Sequence, residues 1–423
     1  MTRRRIRAAV AALLAVVLLV SCNSARSAED PVTIPVLGVT HTQFSLDPWN
    51  PPSRVASGEK VLSAAPQVQN QNIMGWGADN PEPSPGDYNW SSLDRRMALI
   101  ERTQGTPVIT LAGAPDWMKG GERGKTDWSR INAAPSRDHF GDFADLAAAV
   151  AQRYPKVRYF QVWSELKGFW DEDRQRWDAA AYTDLYNAVH DAVKAVRPDA
   201  KIGGPYVVMD TWSGMAGNVK RSPLTGPWGM VDGRTTDVIT YWNGHKHGAD
   251  FVVVDGSTAT KDRGLTTDPF TATAMFTAVT RWVAAETGLP VWWAEFYPDR
   301  GTEQSAGGAR QTAVTLDAVA RMAEGGAARM LLWQPQASED FRYSALWTSP
   351  DAGAVQPTSL AAPWAWLCRV LGQHNVRITR ENGLLGFVSS GGTMWVNLTD
   401  RGKTPPGTDE VLPPYGVSVP DRT

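Results

Sequence analysis

Eight short runs rich in β-branched and aromatic residues, separated by longer stretches of helical period, constrain this chain more than any other feature. The runs are Pro35–His41, Asn72–Gly75, Pro107–Gly113, Val157–Trp163, Lys201–Gly204, Phe251–Val254, Val291–Ala294 and Arg329–Trp333. Between them, Phe140, Phe143, Leu146, Ala147 and Val150 mark one amphipathic helix, ending near Pro155. Leu185, Val189, Ala192, Val193 and Val196 mark another, stopped by Pro198. Met275, Phe276, Val279 and Val283 form a third stripe, and Ala313, Leu316 and Val319 to Met322 a fourth. Alternation of this kind predicts a parallel sheet covered by helices, and eight units fit a closed (β/α)8 TIM barrel better than an open sheet. The first run continues into "THTQFSLDPWNPP" and carries no Gly-rich phosphate fingerprint.

The pattern changes near both ends. The barrel is expected over residues 33–374. From 375 to 423, Val376–Thr379, Leu384–Ser389, Met394–Leu398 and Tyr415–Val419 read as short antiparallel strands of a small β-sandwich-like appendage. At the start, Arg3, Arg4, Arg5 and Arg7 precede an apolar run from Ala8 to Val20, the layout of an export signal. The run closes in Leu19-Val20-Ser21-Cys22, which resembles the bacterial lipobox. That resemblance implies a signal peptide over 1–22, lipid on Cys22, a flexible tether over 23–32 and a place at the outer face of the cell membrane, with plain secretion as the alternative. The remaining cysteine, Cys368, lies in an apolar helical stretch and reads as a buried thiol.

With 42 basic and 44 acidic residues the chain has a net charge of −2, which gives no electrostatic basis for nucleic-acid binding. No cofactor motif is present. His245 and His247 have metal-like spacing but no third ligand, so they read as loop contacts and no metal is expected. The 19 tryptophans are far above an average content, and many fall where predicted strands end.

In such a barrel, chemistry sits at the C-terminal ends of the strands. The fourth run ends in Trp163-Ser164-Glu165 and the seventh in Trp293-Ala294-Glu295. Strand alternation places each Trp below its carboxylate. Two carboxylates facing each other across a barrel mouth suit glycosidic bond cleavage: one protonates the leaving oxygen and the other stays ionised to attack the anomeric carbon. A separation of roughly 5–5.5 Å gives retention of configuration, and a wider gap gives inversion. Asp116 and Trp117, after the third run, are placed to line the cleft, and Asp116 serves equally as a helix N-cap. Trp76 and Tyr297 are similarly placed, and Trp333 would floor a sugar ring.

The segments "PSPGDYNWSSLDRRM", "ITLAGAPDWM", "VWSELKGFW", "VWWAEFYP" and "VLPPYGVSV" resemble clan A glycoside hydrolases, most closely glycoside hydrolase family 39 and its β-xylosidase-like bacterial members. The resemblance covers about residues 35 to 420. It implies Glu165 as acid/base, Glu295 as nucleophile, His41 as a sugar-hydroxyl contact and a covalent glycosyl-enzyme intermediate. Ser164 stands where the clan has Asn, the residue that bonds the sugar 2-hydroxyl. Ser164 also keeps a second expectation open: a catalytically weak, cell-surface carbohydrate-binding protein on the same barrel.

Overall fold

The computed structural model describes residues 36–43, 45–46, 51–214, 219–298, 307–338, 344–350, 353–371 and 376–420. The expected export signal, the expected tether and Cys22 lie outside the described residues. Eight parallel strands close into a barrel: Leu37–Thr40, Val68–Asn72, Thr106–Leu111, Tyr159–Val162, Lys201–Val208, Phe251–Gly256, Val291–Phe296 and Arg329–Trp333. The first pairs with the eighth, Leu37 opposite Met330, which closes the ring. Around it lie helices that include Ser91–Arg102, Phe140–Arg153, Ala179–Val196, Ala274–Thr287 and Gly307–Gly325. The architecture is a (β/α)8 barrel, as the alternation predicts.

The second strand is not where the sequence pattern put it. Asn72–Gly75 is largely the exit from Val68–Asn72, whose VQNQN sequence carries little apolar signal. All five residues are nonetheless buried, because the polar side chains are paired. Gln69 donates through Nε2 to Thr103 Oγ1 at 2.8 Å and accepts through Oε1 from His41 Nε2 at 3.0 Å. Asn70 joins Thr40 Oγ1 at 3.2 Å and Thr110 Oγ1 at 2.8 Å, and Arg96 Nε donates to Gln71 Oε1 at 2.9 Å. A satisfied polar strand can be buried where an unsatisfied one cannot.

Two apolar clusters divide the core. One, drawn almost entirely from strand residues (Val68, Val108, Tyr206, Phe251, Val253, Trp292, Ala294 and Leu331), fills the barrel, with Phe251 stacked on Trp292 at 4.1 Å. The other lies between sheet and helices and holds Trp163 and Trp293. Trp163 meets Phe143 edge-on at 5.4 Å. Trp293 meets Phe276 at 4.9 Å and donates its indole N–H to Thr280 Oγ1 at 2.9 Å. The two tryptophans expected beneath the carboxylates thus face outward onto the helices, and neither lines the barrel mouth.

The C-terminal segment forms a single four-stranded antiparallel sheet, Arg377–Glu381, Leu384–Ser389, Gly392–Asn397 and Val417–Ser418, rather than two facing sheets. Arg380 ties it to the barrel by pairing with Asp317 at 2.5 Å and Glu324 at 2.9 Å on helix Gly307–Gly325. Cys368 is buried in helix Ala361–Leu371, where burial raises its thiol pKa.

Because Trp293 is fully buried against a helix, Trp293→Ala is expected to cost about 3–5 kcal/mol. Urea denaturation measures this; a loss below about 1 kcal/mol would put the ring outside the core.

Candidate active site

The fourth strand stops at Val162, so alternation does not place Glu165; a turn does. Trp163, Glu165 and Leu166 have φ of 66, 52 and 52°, and Gly168 follows at 80°. A run of left-handed non-glycine residues is costly, and such strain concentrates at functional sites. The turn is held from below, where the Trp163 indole donates to the Lys167 carbonyl at 2.8 Å. It is held from the side as well: a Cβ on Gly168 would lie 2.2 Å from Ala134 N. The Glu165 carboxylate emerges at the mouth and pairs through Oε2 with Lys167 Nζ at 2.7 Å. The same ammonium lies 4.8 Å from the centre of the Trp76 ring.

Glu295 reaches the mouth by a different device. Along the seventh strand Trp293 pairs with Val254, but the next partners are Asp255 and Glu295, so the register slips by one residue. This bulge turns inward a carboxylate that sits in step with the outward-facing Trp293. Glu295 is 6% exposed and accepts a hydrogen bond from Tyr206 Oη at 2.7 Å.

The same register slip brings in a third acid. Asp255, next to last in the sixth strand, is 0% exposed, and neither of its oxygens meets a donor among the described residues. One oxygen from each of Glu165, Asp255 and Glu295 lies within 4.8 Å of the others. Burial first, and then the charge on Glu165, pushes the Glu295 pKa up to about 8, against the Tyr206 hydrogen bond and Lys167. Burial, with Glu165 and Glu295 beside it, pushes Asp255 well above the carboxylate range. The Glu165 carboxyl is also within hydrogen-bonding reach of Asp255, so a proton on either can be shared. Burial would lower the Lys167 pKa, but its acidic neighbours, Glu165 first, outweigh that and raise it. Asp210, paired with Lys261 at 3.1 Å, adds a fourth acid nearby, its pKa raised by burial.

The trio is the only set of acidic, histidine or cysteine side chains close enough to share a cation among the described residues. Lys167 already supplies a positive charge there. The arrangement offers two carboxylates that can divide a proton donor's and a nucleophile's work, plus a buried acid as proton store.

Of the other residues singled out from sequence, Trp76 meets this centre through Lys167, and Ser164 is buried directly before Glu165. Tyr297 sits close enough for the acids to act on its hydroxyl, whose pKa is raised by burial and then by Asp255. Its ring lies 5.4 Å from that of Trp333, and both are partly buried. His41 follows the first strand directly. It is buried, with Nε2 on Gln69 and Nδ1 meeting no partner among the described residues, and burial followed by the Arg96 charge lowers its pKa to about 3, so the ring is neutral. Asp116 is buried, 3.7 Å from Lys119 Nζ, and accepts from the Asp127 backbone N–H at 2.6 Å, while the Trp117 indole donates to Glu82 O. These contacts fasten a loop and put neither side chain among the carboxylates. His245 and His247 bond to Tyr241 O and Asp191 on the surface. Tyr206 and Asp255 went unread in the sequence, because the fifth and sixth runs were ended one or two residues short of them.

No family model matches the chain. A curated β-xylosidase from Geobacillus stearothermophilus is 30% identical over 138 residues, which is 30% of this chain and 26% of that protein. The match therefore spans about a quarter of the relative's length. Among solved structures, a GH39 β-xylosidase from Caulobacter crescentus superposes with a TM-score of 0.57 at 15% identity, covering 86% of this chain and 77% of that one. A GH39 enzyme from Xanthomonas axonopodis pv. citri gives 0.57 at 15%, covering 90% and 73%, and a glucosidase from Croceicoccus marinus gives 0.56 at 12%, covering 86% and 75%. These likenesses are of fold.

The raised Glu295 pKa fixes the sign of a stability effect. Between pH 4.5 and about 8 the folded protein keeps a proton that the unfolded chain has lost. This contribution is complete below that interval and lost as pH rises through it; Asp255 acts in the same sense. Wild-type stability is expected to fall from pH 5 to 8, and Glu295→Gln to flatten the slope. Superimposable pH–melting curves for the two proteins would contradict the raised pKa.

Proposed function

We propose that this chain is a retaining glycoside hydrolase, β-xylosidase-like, acting on O-glycosidic bonds of extracytoplasmic oligo- or polysaccharide. The observation that carries the proposal is the approach of Glu165 and Glu295 oxygens to within 4.8 Å across the barrel mouth. So close an approach supports the short separation associated with a nucleophile rather than the wider gap of inversion. The 30%-identical segment of a β-xylosidase supports the substrate class. Export and lipid attachment at Cys22 belong to the same proposal and rest on the Arg-rich, apolar start of the sequence.

In the first step the ionised Glu295 attacks the anomeric carbon. The bond to the leaving oxygen breaks, and that oxygen takes the proton from Glu165. In the second, Glu165 removes a proton from water, the hydroxyl oxygen bonds to the anomeric carbon, and Glu295 leaves as a carboxylate. Tyr206 holds Glu295 in place and stabilises its ionised form. Lys167 holds Glu165 through the opposite charge it needs in the second step. The electrostatics differ from the sequence expectation: the high pKa belongs to Glu295, and the cation sits on Glu165. The reactive form is the one with the proton on Glu165 and the charge on Glu295. Positive charge developing on the sugar favours that form by stabilising ionised Glu295.

The Lys167 pairing and Ser164 are the features that favour the second reading, a weakly catalytic carbohydrate-binding barrel. Dinitrophenyl β-xyloside and β-glucoside, whose leaving group needs no proton, separate the two. With them kcat/KM is expected to rise with pH through about 8, as Glu295 ionises. Glu165→Gln should spare this first step yet lower kcat/KM on unactivated oligosaccharides by about 10²–10⁴-fold. NMR should show the first-formed sugar as the β anomer. No turnover of either activated substrate, with binding retained, would favour the second reading.

A further inference from the structure

Of the three acids at the barrel mouth, Asp255 takes no part in the two steps above, yet the backbone places it with care. On one side the register slip sets Asp255 opposite Glu295. On the other, the sixth strand slips against the fifth between Val253 and Val254, which brings Asp255 level with Val208. Its carbonyl then accepts from the Met209 N–H at 2.8 Å. The carboxyl is fully buried.

The groups that face this carboxyl are mostly acids. Glu165 and Glu295 each bring an oxygen within 4.8 Å, and Asp210 adds a further negative charge. The cations of the region are committed elsewhere, Lys167 to Glu165 and Lys261 to Asp210. Tyr206 donates its hydroxyl to Glu295, and the nearby Tyr297 hydroxyl makes no hydrogen bond to Asp255. A buried carboxylate with acids around it and no donor is far costlier than a neutral carboxylic acid. The neutral form brings its own O–H, and the Glu165 carboxyl lies within hydrogen-bonding reach of it. An acid held neutral by its site remains a donor at neutral pH.

Charge balance points to the same form. With the proton on Glu165 and the charge on Glu295, Lys167 neutralises the mouth only if Asp255 is uncharged. Once Glu165 has given up its proton and Glu295 is esterified, Lys167 balances Glu165, again only with Asp255 uncharged.

We propose that Asp255 is a positioning residue that stays protonated through both steps and donates a hydrogen bond from its O–H to the Glu165 carboxyl. The inference rests on Glu165 being the acid/base. No proton passes to or from Asp255: Glu165 gives its own to the leaving oxygen and recovers one from water. The hydrogen bond strengthens as Glu165 becomes a carboxylate, so it favours the transition state in which the leaving oxygen is protonated. A leaving group that needs no proton gains little from it.

The first test compares kcat/KM on a dinitrophenyl β-glycoside with that on the matching disaccharide, in the xylose and glucose series. In Asp255→Ala the ratio of activated to unactivated substrate is expected to rise about tenfold. Asp255→Asn, isosteric and still a donor, should bring most of that rise back. An active wild type whose ratio is unmoved in Asp255→Ala overturns the positioning role and leaves the hydrolase reading standing. If wild type hydrolyses neither glycoside, the hydrolase reading falls and the positioning role with it. The second test is urea denaturation of wild type and Asp255→Asn from pH 5 to 7, which stands even if the Ala variant does not fold. Folded wild type keeps a proton on Asp255 that the unfolded chain has lost. Its folding constant relative to Asp255→Asn should therefore fall about tenfold per pH unit. A flat ratio means an ionised Asp255 and overturns the proposal.

Discussion

Three carboxyl groups converge in one poorly solvated barrel mouth with a single ammonium among them, and the surrounding structure answers to that constraint. Burying an unpaired carboxylate costs on the order of several kcal/mol, so each group must be paired, hydrogen-bonded or protonated. Glu165 takes the pairing with Lys167, Glu295 takes the Tyr206 hydroxyl, and Asp255 is left with a proton to share. Backbone distortions deliver them: a left-handed turn after the fourth strand and a register slip between the sixth and seventh. Both arise where chemistry requires a side chain that regular strand geometry would have pointed elsewhere.

The eightfold alternation was legible because strand and helix periods differ and each helix carries its apolar stripe. The second strand escaped because its Gln and Asn residues are buried through mutual hydrogen bonds, which leave no hydrophobic signature. Glu165 and Glu295 could be picked out as acids at the tips of apolar runs. The same rule applied one residue further would have found Asp255, which ends "FVVVD". What sequence could not reveal was side-chain direction. Period-two reasoning put Trp163 and Trp293 under the acids, and the turn and bulge put them among the helices instead.

The tryptophan excess divides along similar lines. Trp163, Trp242, Trp293, Trp347 and Trp364 are fully buried and pack the core. Trp76, Trp128 and Trp333 keep exposed faces, the first two on a cavity that both line and the third beside Tyr297. Asp116, expected to line the cleft, instead anchors the loop that carries Trp128. A buried aspartate that accepts from a backbone N–H is a fastening.

The central claim is that Glu295, not either neighbouring acid, forms the bond to sugar. With a dinitrophenyl 2-deoxy-2-fluoro β-glycoside the fluorine slows both steps while the dinitrophenolate leaving group speeds the first, so the covalent species accumulates. Peptide mass spectrometry is expected to find a single glycosyl ester, on Glu295 within "VWWAEFYP". An ester on Asp255 or Glu165, or turnover of the reagent with no ester at any stage, would contradict the account.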